Sequence, residues 1–165
     1  MKTKQSAVAV VFFEHNKSIL LLKRSGNCVH SNEVCLPGGV VESVDKESLL
    51  QTAIRETFEE THILLCPKQC MLALPKEETS YGASISPYLF RYKKDAEINV
   101  KLNKHEASEY FFLPRAYLTH EFFGVNASAK KHKLYLQYQG FFIWGVTATI
   151  LSKLIRVHDE FSEHF

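Results

Sequence analysis

Charge of one sign is what this sequence has least of. Twenty lysines and arginines stand against 18 aspartates and glutamates, a formal net charge of +2. A general nucleic-acid binder needs a broad basic excess to neutralise phosphates, so that class is excluded and any preference for anions must be local. No apolar run reaches the roughly 20 residues of a membrane-spanning helix. The start, MKTKQSAVAVVFFEHNK, superficially resembles a secretory signal, but AVAVVFF is short, meets charge at once and lacks a small-residue cleavage pattern. It is expected to be a first strand, and the protein to be soluble and cytoplasmic. The four cysteines include one C-x3-C pair, Cys66 and Cys70, with no second pair at zinc spacing. Reduced, mostly buried thiols are therefore expected rather than a structural zinc. The histidines show no H-x3-H pairing, so none is assigned to a metal, and repeats, low-complexity tracts and linkers are absent.

What remains is an ordinary globular composition, 45% hydrophobic and 23% charged over 165 residues, which excludes disorder and suits one domain spanning 1–165. AVAVVFF (7–13) and SILLLKR (18–24) read as strands joined by a polar turn. Pro37-Gly38-Gly39 interrupts an extended segment at 34–42. A helix is predicted from an N-cap at Asp45 to about Thr61, with Leu50, Ala53, Ile54, Thr57 and Thr61 facing inward. Further strands are predicted at 70–75, 85–92, 98–102 and 109–114, and a closing helix over the apolar stretch 141–155. Strands flanking one central helix, with another at the end, give a mixed α/β or α+β domain.

Residues 52–63 read TAIRETFEETHI. On a helix turning about 100° per residue, Glu59 lies about 60° to one side of Glu56 and Glu60 about 40° to the other. Three carboxylates then share one face and repel one another. A solvated acidic face is the plain explanation. A hard divalent cation is the chemical one, because Mg²⁺ takes a few carboxylates plus waters and phosphate oxygens. Gly38-Gly39, lacking Cβ atoms, would let backbone groups come close to a metal or phosphate, and Arg55 can orient a carboxylate by a bidentate contact.

The run GGVVESVDKESLLQTAIRETFEETHI resembles the Nudix box, G-x5-E-x7-R-E-U-x-E-E-x-G-U, over about residues 39–63. Gly39, Arg55, Glu56, Glu59, Glu60 and Ile63 fall on box positions, and Asp45 takes the first acidic one. The stretch from Asp45 to Arg55 runs two residues long, Thr57 replaces a bulky apolar residue, and His62 replaces the terminal glycine. The chain is further similar to the coenzyme A diphosphatase subfamily. LLLKRSGNCVHSNEVCLPGG matches its upstream signature at Leu22, Arg24, Ser25 and Pro37-Gly38-Gly39, though Leu36 stands for phenylalanine and the second arginine is missing. LNKHEASEYFFLP is similar to its NPxEVxEVxxVP segment, and IWGVTATIL to its closing IWGxTAxIL.

The resemblance implies a Nudix-type α/β/α sandwich with a mixed sheet, and metal-dependent hydrolysis of a nucleoside diphosphate derivative. Coenzyme A or acyl-coenzyme A would give 4′-phosphopantetheine and adenosine 3′,5′-bisphosphate. Alternatives are ADP-ribose, NADH or a nucleoside triphosphate as substrate, or a non-catalytic nucleotide-binding module. Mg²⁺ or Mn²⁺ is the implied cofactor, held by Glu56, Glu59, Glu60 and Gly39. Glu59, Arg55 and Glu106 are the implied catalytic residues, Arg55 chiefly orienting. The base is left open between Glu106, another carboxylate and a hydroxide held by the metal, and Glu106 can also be read as a solvated loop residue. Arg24, Gly38, Lys130 and Lys131 are candidate substrate contacts, although a basic run such as 130–133 can also be a solvated loop. Tyr135, Tyr138, Phe141, Phe142 and Trp144 read as core or a packing surface rather than a stacking platform. Partners are expected to be a small nucleotide, with neither nucleic acid nor membrane, and a homodimer is admitted. His62 is expected to sit just past the helix end, strained at positive φ or with the last turn relaxed to avoid it.

Overall fold

The structure, a computed structural model, describes residues 4–26, 30–46, 48–79, 82–93, 99–128 and 134–160. Its strands are β1 (Gln5–Phe13), β2 (Ser18–Arg24), β3 (Val34–Cys35), β4 (Gly38–Val40), β5 (Cys70–Ala73), β6 (Glu77–Glu78), β7 (Ser84–Tyr92), β8 (Ala107–Pro114), β9 (Gly124–Val125), β10 (Leu134–Tyr138) and β11 (Phe141–Trp144). Its α-helices are α1 (Leu49–Thr61) and α2 (Gly145–Glu160).

Alternation along β1 decides the layering. Ala7, Ala9, Val11 and Phe13 lie in one apolar cluster with Ala53 of α1, while Val10 and Phe12 lie in a second with Leu151 and Leu154 of α2. Side chains alternate across a strand, so a strand apolar on both faces is sandwiched between two layers. β2 repeats the pattern, Leu20 and Leu22 facing α1, Ile19 and Leu21 facing α2. The eight-stranded sheet has the path β3-β2-β1-β7-β5, with β4 paired to β1, β6 to β7 and β8 to β2. β1 and β7 are parallel from Gln5↔Ser84 to Phe13↔Tyr92, and the other pairs are antiparallel, so the sheet is mixed. The α/β/α sandwich is as expected.

Several local expectations need correcting. The β1–β2 hairpin forms but is paired only near its turn, at Phe12↔Ile19 and Phe13↔Ser18, because the segment 34–40 comes between the two strands, β3 pairing with β2 at Leu22↔Cys35 and β4 with β1 from Ser6↔Val40 to Val8↔Gly38. The stretch predicted as one helix over 141–155 is a strand followed by a helix. Phe141–Trp144 pair with β10 through the turn at Gln139-Gly140, both at positive φ, which suits the twist of a tight hairpin. Gly145, at φ 64°, then turns the chain into α2. The strand predicted at 98–102 is not formed over 99–102, and Ile98 lies outside the described residues. The amides of Lys101 and Asn103 there bond the C-terminal carbonyls of α1 instead of a ladder.

The start of α1 also differs. Ser48, not Asp45, is the N-cap, its hydroxyl accepting from Gln51 N at 3.4 Å. Asp45 closes a 3-10 turn, Ser43–Asp45, after which Lys46 turns left-handed at φ 49°. The two extra residues are absorbed between that turn and the helix. The inward face is Thr52, Ala53, Thr57, Glu60 and Thr61, with Leu50 and Ile54 half-buried. Thr57 can occupy its apolar position because its hydroxyl donates to Ala53 O at 2.7 Å and leaves no buried donor unpaired. α1 ends at Thr61, and His62 is left-handed at φ 58°, ψ 17°. Cys35, Cys66 and Cys70 are free thiols, but Cys66 is exposed and the other two half-buried, against the expectation of mostly buried thiols. Among the described residues no helix is long and apolar enough to cross a membrane.

Candidate active site

The site lies where β4, running antiparallel beside the start of β1, meets the face of α1. Gly38 and Gly39 each lie against one carboxylate of the helix. The Gly38 amide donates to Glu60 Oε2 at 2.9 Å, and a Cβ on Gly39 would overlap the Glu56 carboxylate. Gly38 needs its own lack of a side chain for a different reason, since a Cβ there would strike Ala7 O and the Val8 backbone.

Arg55 ties the remaining acids together. Its Nε and Nη2 meet Asp45 Oδ1 and Oδ2 at 2.9 and 3.0 Å, a bidentate pair, and Nη2 also donates to Val40 O at 3.1 Å. Nη1 reaches Glu56 Oε1 at 2.9 Å and Glu59 Oε2 at 3.1 Å. The arginine holds the Asp45 carboxyl down at about 2, helped by the Glu42 amide and the Thr52 hydroxyl against the opposing cost of burial.

The three helix carboxylates are not equivalent. Glu59 is about half exposed, Glu56 is largely covered, and Glu60 is buried at 7% exposure. Burial pushes the Glu60 carboxyl up to about 8, with Glu56 and Glu106 adding repulsion while the Gly38 amide and Arg24 oppose the shift. Glu56 is raised as well, burial again leading, partly countered by Arg55. Glu106 is thus brought to the helix cluster from a separate segment. Asn103 Nδ2 donates to Glu106 Oε1 at 2.7 Å, and the backbone there is pinned by Ser25 N to Glu106 O at 2.9 Å and Ser25 Oγ to His105 O at 2.6 Å.

Among the described residues, no three His, Cys, Asp or Glu side chains close into a ready-made metal cage. The donor chemistry nevertheless fits a hard divalent cation. The donors are all oxygen, and the Glu56 and Glu60 carboxyls are raised by burial and by the like charges around them, which an added positive charge would relieve. Mg²⁺ sites ordinarily take only part of their ligands from protein.

Of the expected site residues, Gly38, Gly39, Arg55, Glu56, Glu59, Glu60 and Glu106 converge, and Arg24, at the end of β2, adds its charge near Glu60 and Cys35. The Gly38 amide is already engaged by Glu60. Lys130 and Lys131 lie outside the described residues. Asn103 and Ser25 were not expected as site residues, although both fall within the motif-bearing segments, where a polar residue beside the glutamate or arginine was the available signal.

The sequence and the fold have counterparts. The NUDIX domain family matches residues 3–133. The chain belongs to the Nudix family. It is 30% identical over 158 residues to the uncharacterized Nudix hydrolase NudL of Pectobacterium atrosepticum, covering 92% of this chain and 81% of that one. Among solved structures, the MutT/nudix family protein of Enterococcus faecalis matches 99% of this Nudix chain at 18% identity and a TM-score of 0.70, and this chain spans 65% of its length. A bifunctional NMN adenylyltransferase/ADP ribose pyrophosphatase of Francisella tularensis, complexed with AMP and a manganese ion, matches 68% of this chain and 34% of its own, at 22% identity and a TM-score of 0.53. Both structural likenesses concern the Nudix fold.

Proposed function

We propose that this Nudix hydrolase cleaves the diphosphate bond of a nucleoside diphosphate derivative with Mg²⁺ or Mn²⁺, and that coenzyme A or acyl-coenzyme A is its substrate. The observation that carries the reaction type is the buried Glu60, bonded to the Gly38 amide with Glu56 and Glu106 close by. So many acids gathered in one partly buried place repel one another unless positive charge joins them. Glu56, Glu59 and Glu60 would hold the cation, with the Gly39 backbone beside them. When bound, the cation supplies charge neutralisation at the diphosphate and makes water more acidic. Arg55 keeps Glu56 and Glu59 aimed through its anchor on Asp45. Glu106, fixed by Asn103, would take the proton of the attacking water. Arg24 would meet a substrate phosphate. No covalent bond to the protein is required. The choice of coenzyme A rests on the matches at Leu22, Arg24, Ser25, Pro37-Gly38-Gly39 and the closing IWGVTATIL.

Coenzyme A, acyl-coenzyme A, ADP-ribose, NADH and dNTPs, each with Mg²⁺ or Mn²⁺, test this on wild type and Glu60→Gln. Release of 4′-phosphopantetheine and adenosine 3′,5′-bisphosphate from coenzyme A by the wild type, slowed about tenfold or more in Glu60→Gln, is the expected result. Turnover of another compound in the panel would replace the substrate. No turnover at all would end the hydrolytic reading, and full activity in Glu60→Gln would overturn the role given to that residue.

A further inference from the structure

His62 stands where the Nudix box has glycine, and it adopts the left-handed conformation that glycine would take without strain. For a histidine that backbone state costs free energy, so its side chain should return something. The imidazole Nδ1 lies 2.9 Å from the carbonyl oxygen of Lys101. A carbonyl only accepts, so Nδ1 carries the proton and donates. The same peptide segment is gripped twice more by the end of α1: Lys101 N donates to Thr61 O at 3.0 Å, and Asn103 N donates to Glu60 O at 2.9 Å. Carbonyls left open at a helix C-terminus are thereby satisfied by 101–103. From Asn103 the connection runs on to Glu106, whose carboxylate takes the Asn103 Nδ2 bond and whose amide donates to Asn103 O at 3.0 Å.

We propose that His62 is a positioning residue: its ring latches the 101–106 segment onto the end of α1 and so sets Glu106 against Glu56 and Glu60. A glycine at this position would relieve the backbone and lose the latch. The catalytic consequence rests on the hydrolase reading and on Glu106 as base; the latch itself does not. Asparagine separates the contributions, because its Nδ2 sits the same number of bonds from the backbone as histidine Nδ1 and it tolerates the left-handed region. It lacks the ring that lies 5.4 Å from Phe58.

The test compares wild type, His62→Gly and His62→Asn by amide hydrogen exchange on the metal-free protein and by steady-state kinetics. In His62→Gly the Lys101 and Asn103 amides are expected to exchange faster while the middle of α1 stays protected, and kcat is expected to fall about ten- to a hundredfold with KM unchanged. His62→Asn should restore both. Wild-type exchange at Lys101 and wild-type kcat in His62→Gly would overturn the latch. Equal loss in both variants would overturn it too, assigning the effect to the ring against Phe58. A wild type that turns over no compound of the panel removes the catalytic consequence, and exchange at Lys101 then decides the latch alone.

Discussion

The amide of Gly38 donates to Oε2 of Glu60 across 2.9 Å, joining the glycine loop to the buried acid of the helix. Glutamine at 60 can still accept that bond but brings no charge. Glu60→Gln is therefore expected to fold normally and to lose about ten- to a hundredfold or more in metal affinity and kcat. Stability should move the other way. The Glu60 carboxyl is raised from 4.5 to about 8, so across that window the folded chain keeps a proton that the unfolded chain has released. Stability then falls as pH rises through it. Urea melts of the metal-free protein should show wild type losing on the order of 2–4 kcal/mol more than Glu60→Gln between roughly pH 5 and pH 8. Parallel pH profiles for the two proteins would contradict this.

Neighbouring glycines should respond differently to alanine. At Gly39 the new methyl meets the end of a side chain, Glu56, which can swing aside. At Gly38 it meets the backbone of Ala7 and Val8, which cannot. Gly39→Ala is expected to keep its thermal midpoint within a few degrees while kcat drops about tenfold or more. Gly38→Ala should lose on the order of 2–4 kcal/mol of stability. Denaturation and kinetics on both variants check the contrast, which a matched pair of phenotypes would refute.

Arg55 binds Asp45 through two nitrogens and reaches Val40 O, Glu56 and Glu59 as well, which a lysine cannot do from one ammonium. Arg55→Lys should cost on the order of 2–4 kcal/mol near neutral pH, because Asp45 is buried and would keep only part of its partner. The acid limb carries a distinct signature. Asp45 is lowered from 3.8 to about 2, a contribution present above 3.8 and lost as pH falls through 2. In Arg55→Lys the Asp45 carboxyl should titrate closer to 3.8, as read by NMR, and the decline between about pH 4 and pH 2 should be shallower.

The long strands and the acidic helix face could be read from the chain because each rests on local periodicity. SILLLKR is β2 residue for residue, and the 56/59/60 spacing places three carboxylates on one side of α1. The boundary inside FFIWGVTATILSKLI could not be read from hydrophobicity, since both sides of Gly145 are apolar and β11 is too short to declare a period. The Gln139-Gly140 pair between two aromatic runs was the overlooked signal for that hairpin. Which of the three glutamates is buried was also illegible, because it depends on an amide 22 residues upstream. The alternating pattern at 98–102 suggested a strand, yet the amides of Lys101 and Asn103 are taken by the end of α1. A short segment's period indicates what it could pair with, and tertiary contact decides whether it does.

Asn103 gathers five bonds at the edge of the site, one of them from its own amide to Glu60 O. Its side-chain Nδ2 serves Glu106 Oε1, its Oδ1 accepts from His105 N at 3.2 Å, and its carbonyl accepts from the amides of Glu106 and Ala107. Replacing the amide by alanine removes that hold on the Glu106 carboxylate. Replacing it by aspartate removes the donor and sets a like charge against that carboxylate, which should push it away from the helix. If Glu106 is the base, kcat should fall in the order wild type, Asn103→Ala, Asn103→Asp, with KM for the substrate little changed. Wild-type kcat in both variants would show that the proton is taken elsewhere, by Glu59 or another carboxylate of α1.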